Sequence, residues 1–218
     1  MHKFKRLLRS CVDAILLSAG WLGYAFTGRT PKWAGMSLIR LFCASGGRSN
    51  DLMARLVSWR YPPRRVSGPT QGVLPALSSR EIDAAATDIR RCGYHVMQYR
   101  VPDNLCDRLL KFALTQPATL RASEGQAPRA GTALYDPQRP LAVRYEYPQQ
   151  VLIDNPEIQR LMADPALIRI AQTYLGAEPI ADVMGLWWHT AFSDKPDSEA
   201  AQFFHFDMDR IKWIKFFI

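Results

Sequence analysis

Acidic side chains are nearly absent from the first third of this chain. Residues 1–65 hold 12 Lys and Arg against 2 Asp and Glu, a net +10. Residues 66–218 hold 16 against 18, a net −2, so the overall +8 averages two unlike parts. Paired cysteines are also missing. Cys11, Cys43, Cys92 and Cys106 are scattered with no CxxC spacing, which excludes a zinc ribbon and a disulfide scaffold and fits a reducing compartment. No nucleic-acid-binding motif accompanies the basic charge, so nucleic acid is not an expected partner. A long uninterrupted apolar run is lacking at the amino terminus. Asp13 breaks the stretch from Cys11 to Phe26, which falls short of the ~20 residues of a spanning helix. Trp21, Gly23 and Tyr24 make no small-residue cleavage site, so neither a spanning helix nor a cleaved signal is expected. These features predict a cytoplasmic protein, with membrane-peripheral placement left open by the basic amino terminus.

What is present is enough for one good core: 218 residues, 48% apolar. Residues 1–65 read as a basic helical extension of two or three short segments, broken at Gly28 and at Gly46-Gly47. Its basic amphipathic helices suit either packing on a main domain or peripheral contact with an anionic membrane. Residues 66–76 form a Pro-containing linker. Residues 77–218 form the main domain.

Within that domain local signals recur. Ser78 to Glu81 is a capping box, followed by an apolar stripe of Ile82, Ala85, Ala86 and Ile89, and Gly93 ends the helix. Asn155-Pro156 and Asp164-Pro165 each place a side-chain cap before Pro at the first helical position. Tyr94–Val101, 180–192 and Ile211–Ile218 read as strands, and residues 116–140 as a long loop.

The segment Gln202-Phe203-Phe204-His205-Phe206-Asp207-Met208-Asp209 carries the clearest chemistry. On an extended backbone, His205 and Asp207 point the same way. Imidazole nitrogen and carboxylate oxygen are two of the three donors of the two-His-one-carboxylate triad that holds non-haem Fe(II). Asp209 shares their face by parity and reads as a solvated carboxylate. His189 reads as strand packing or pocket lining. Arg144 is a candidate to reach an anionic cosubstrate or substrate, and an ion pair with Glu146 explains it structurally; burial of the indoles explains Trp187 and Trp188.

From Leu77 onward the sequence resembles the phytanoyl-CoA dioxygenase family of Fe(II)/2-oxoglutarate oxygenases. The resemblance rests on Arg91-Cys92-Gly93-Tyr94, Asp164-Pro165-Ala166-Leu167-Ile168, Tyr174-Leu175-Gly176-Ala177-Glu178-Pro179, and the His-x-Asp segment, in that order. It implies an α+β fold, an incomplete double-stranded β-helix (jelly roll) with flanking helices. It also implies His205 and Asp207 as iron ligands, with Trp187 and Trp188 lining the cosubstrate pocket; Arg144 and Trp188 are then the candidate residues on the cosubstrate side. Fe(II), 2-oxoglutarate, O2 and a small, lipid-like organic substrate are the implied partners. No residue here matches the family's distal His or its 2-oxoglutarate-binding basic residue, which lie on later strands. The expectation is a C-terminally truncated member, inactive alone. A non-catalytic fragment or membrane-peripheral interaction protein is the competing reading.

Overall fold

The computed structural model describes residues 2–64, 66, 71–121, 131–192, 195–198, 201–205, 207 and 210–218. Two compact units result, the first comprising Met1–Arg64, Leu175–Glu178 and Asp207–Lys215, and the second the remainder.

In the first unit three helices follow one another: α1 (His2–Thr27), α2 (Lys32–Ser45) and α3 (Arg48–Arg60). The glycine breaks fall where expected. Gly46 takes a left-handed φ of 61° and donates its N–H to the Phe42 carbonyl, a conformation that costs a residue without Cβ little. The first helix, however, is 26 residues long rather than short. Asp13 does not break it, because the carboxylate finds a partner. It is 4% exposed and accepts from Arg40 Nε of α2 at 2.8 Å, while an Arg40 terminal nitrogen donates to Ser37 Oγ at 3.0 Å. One turn-pair further along, Gly20 faces Ala34 so closely that a Cβ at position 20 would collide with the Ala34 methyl. Leu7–Thr27 thus has the length and composition of a membrane-crossing helix, which overturns the length argument made from the sequence. The later pieces of this unit are tied in by polar bonds. Glu178 N–H donates to the Tyr61 carbonyl at 3.1 Å, Arg64 N–H to Glu178 Oε2 at 2.8 Å, and Asn50 Nδ2 to the Ile211 carbonyl at 3.2 Å.

The second unit begins with α4 (Ser79–Cys92) and α5 (Asp103–Thr115). The capping box forms as read: Ser78 Oγ accepts from Glu81 N–H at 3.3 Å, and Glu81 reaches back to Ser78 N–H at 2.7 Å. The Ser78 hydroxyl, donating to Glu81 Oε2 at 2.6 Å, and then the Ser78 N–H and the Tyr99 hydroxyl hold the Glu81 carboxyl below its ordinary pKa. Strands β1 (Ala118–Arg121), β2 (Thr132–Ala133), β3 (Arg144–Glu146) and β4 (Trp187–His189) make a sheet of order β2-β1-β3-β4, antiparallel throughout. Between β3 and β4 run α6 (Gln149–Ile153), α7 (Pro156–Met162) and α8 (Pro165–Leu175). Asn155 caps α7, accepting from Glu157 and Ile158 N–H. One sheet face packs on a core of Ala113, Ala118, Tyr145, Tyr147, Leu152 and Ile158.

Three strand assignments need correction. Tyr94–Val101 forms no strand: Tyr94 and Val96 stay exposed, and Tyr99 donates its hydroxyl to Glu81 Oε1 at 3.1 Å instead. In 180–192 the strand itself is confined to Trp187–His189. Ile211–Ile218 has no ladder partner among the described residues, and a β-propensity pattern without a neighbour does not make a strand. Conversely, residues 116–140, read as loop, contain β1 and β2. Amides of 211–218 are therefore expected to exchange orders of magnitude faster than those of α4 and α8 in a hydrogen-exchange time course. Slow exchange there would show that the segment is paired after all.

Candidate metal centre

Strand alternation sorts the candidate residues before any ligand is considered. In the β3–β4 register Arg144 opposes His189, Tyr145 opposes Trp188, and Glu146 opposes Trp187. Tyr145 and Trp188 share the core face; Arg144, Glu146, Trp187 and His189 share the other. The two residues expected on the cosubstrate side, Arg144 and Trp188, are thus on opposite faces of the sheet.

Trp188 is heavily engaged on its face. Its Nε1 donates to Tyr147 Oη at 2.7 Å, the Tyr147 hydroxyl donates in turn to the Ala113 carbonyl, and the indole stacks on Tyr135 with centroids 4.5 Å apart. Burial raises the Tyr147 phenol above its ordinary pKa, against the bond from Trp188. This aromatic relay escaped sequence reasoning, although the alternation Arg144-Tyr145-Glu146-Tyr147 was there to signal two distinct faces.

On the opposite face Arg144 lies over the Trp187 ring at 4.5 Å, and its guanidinium is 3.5 Å from Glu146, which also binds Arg121 Nε at 2.8 Å. Arg144 Nε is buried with no hydrogen-bond partner among the described residues. The His189 ring sits edge-on to Trp187, and burial first, then the Arg144 charge, lower its pKa. His189 is therefore neutral near neutral pH. The end of β4 opens into a shallow cleft of about 560 Å³ that His189, Thr190, Lys195 and Gln202 help line. The chain around it closes locally, with Asp197 N–H on Gln202 Oε1 at 2.8 Å and Gln202 N–H on the Asp197 carbonyl at 3.0 Å.

His205 follows Gln202 by three residues and belongs to the second unit, whereas Asp207 belongs to the first. Phe206, Met208 and Asp209 lie outside the described residues, and with them the parity argument for Asp209. His205 Nδ1 is 2.9 Å from the Phe203 carbonyl. A carbonyl oxygen only accepts, so Nδ1 is the donor in this bond. In metal-binding imidazoles the ring nitrogen not used for the metal is commonly held by a backbone acceptor in this way. Asp207 is ion-paired with Lys215, whose ammonium also lies 4.7 Å from the Trp213 ring centre. The donor chemistry fits two positions of an iron triad. No group of three or more His, Cys, Asp or Glu placed to hold a metal occurs among the described residues. Comparisons with family models, with curated proteins and with solved structures find no match to this chain.

Proposed function

We propose that residues 77–218 serve Fe(II)/2-oxoglutarate-dependent hydroxylation of a small, lipid-like organic substrate, with the four-stranded sheet forming part of an incomplete double-stranded β-helix. The observation that supports this most is the His205 ring, held through Nδ1 by the Phe203 carbonyl in a segment that already offers a carboxylate two positions on. In this reading His205 Nε2 and the Asp207 carboxylate hold the ion. Bound iron supplies the redox chemistry that couples O2 to decarboxylation of 2-oxoglutarate and oxidation of a C–H bond.

The chain's own residues then have defined tasks. Lys215 occupies Asp207 as a cation would, and must leave when a divalent ion arrives. Arg144 offers a guanidinium, with one nitrogen unpartnered among the described residues, to an anionic group. Trp187 holds that guanidinium flat against its ring. Trp188 acts from the other face, through Tyr147 and Tyr135, by fixing β4.

With two protein donors, Fe(II) binding is loose and conversion of 2-oxoglutarate to succinate slight. An anaerobic Fe(II) titration is expected to show His205→Ala and Asp207→Ala each weakening binding by at least about tenfold. Lys215→Ala, which removes the competing cation, is expected to strengthen it. Unchanged affinity in both ligand variants removes the site.

A further inference from the structure

Helix α1 shows a surface that its packing does not explain. At 100° per residue, Phe4, Leu8, Ile15, Leu22 and Phe26 fall within roughly 40° of one another around the axis. All five are exposed, Phe4 at 71% and Phe26 at 88%. Leu7 and Val12, also exposed, widen the stripe on either side. From position 4 to position 26 it runs for about 33 Å at 1.5 Å per residue, and no charged residue interrupts it. Asp13, the lone charge between Arg9 and Arg29, lies roughly 160° away round the helix, where it is buried against α2 with Arg40. An unbroken apolar face of this extent on the outside of a helix marks an interaction surface.

Charge identifies the occupant. Residues 1–65 carry 12 Lys and Arg against 2 Asp and Glu, with Lys5 and Arg9 near one end of α1 and Arg29 and Lys32 at the turn after it. A second copy of this chain would bring like charge to like, and a two-stranded seam would also need only a narrower stripe. An anionic lipid surface meets both features at once. Trp21 and Trp33 are exposed around the α1–α2 turn, and such amphipathic rings favour the headgroup level of a bilayer. The Asp13–Arg40 pair sits midway along α1 on its protein side, which suits a helix lying in the membrane plane rather than crossing it.

We propose that the exposed apolar face of α1 inserts, in the plane of the membrane, into a bilayer containing anionic lipids, with the surrounding Lys and Arg residues held at the headgroups. This attachment is independent of the iron-site reading.

The test is flotation of the full chain with preformed vesicles of phosphatidylcholine, with and without phosphatidylglycerol. Partition into the anionic vesicles is expected to be at least about tenfold stronger, and to weaken as salt rises. Ile15→Asp with Leu22→Asp, both at exposed positions, should abolish flotation while leaving helicity by circular dichroism unchanged. Lys5→Glu with Arg29→Glu is the second arm: it should remove the preference for anionic vesicles without changing the apolar face. Three results would overturn the proposal. One is equal or absent partition with the two vesicle types. Another is a concentration-dependent dimer that Ile15→Asp dissolves. The third is protein that salt cannot extract and that never exchanges between vesicles, as a crossing helix would behave.

Discussion

Replacing Asp164 with Ala is expected to destabilise the second unit by about 2–5 kcal/mol, seen as a large drop in the urea midpoint followed by tryptophan fluorescence. Asp164 is fully buried, and its two oxygens serve two parts of the chain. Oδ1 caps α8, accepting from Ala166 N–H at 2.9 Å and Leu167 N–H at 3.3 Å. Oδ2 accepts from Leu74 N–H at 2.9 Å, ninety positions earlier. Loss of the cap alone costs about 1–2 kcal/mol. A buried N–H left without a partner adds roughly 1–3 kcal/mol. Asp164→Asn keeps one carbonyl acceptor and should recover part of the loss. The site is also crowded, since a Cβ on Gly72 would collide with Oδ2 of this carboxylate and with the Pro165 ring. Gly72→Ala should therefore cost less in the Asp164→Ala background than alone, because one of its two obstacles has gone. Additive effects would show that the two do not share that space.

Tyr145→Ala is expected to have a similar effect, about 3–5 kcal/mol. The ring is fully buried at the middle of the sheet, paired across to Leu120 on one side and Trp188 on the other. It meets Tyr135 edge-on at 5.4 Å, and its hydroxyl oxygen accepts from Leu141 N–H at 2.6 Å. Truncation removes both the apolar volume and the acceptor. Tyr145→Phe separates the two: it keeps the ring and should cost only about 1 kcal/mol. If Tyr145→Phe proves as damaging as Tyr145→Ala, the hydrogen bond rather than the packing dominates.

Features decided within one turn of chain were legible from the residues. The Ser78–Glu81 box, the Asn155 and Asp164 caps and the glycine breaks all form as read. Each depends on groups two to four positions apart, so the sequence states both partners. The sheet was poorly legible because its pairing is not local. Ala118–Arg121 has little β character of its own and becomes a strand by lying between β2 and β3. Tyr94–Val101 has that character and no neighbour to use it. The same division runs through the candidate site. His205 and Asp207 stand out as residue types two positions apart. That Lys215 closes on Asp207, or that Arg144 turns away from Trp188, depends on partners no short window contains. In α1 the charges could be counted, but the outward stripe emerges only once a single 26-residue helix replaces several short ones.

Gly20 and Asp13 are seven positions apart, two helical turns, so they lie almost on one line along α1. Each meets α2 in a way that tolerates no rotation: one through a backbone approach with no room for a side chain, the other through a paired charge. Together they act as a key in a slot. Turning α1 by a single residue step would pull the carboxylate from Arg40 and press a side chain against Ala34. Two kinds of sequence drift follow for this helix. Positions 4, 8, 15, 22 and 26 are free to trade one apolar residue for another. Positions 13 and 20 change only together with Arg40 and Ala34.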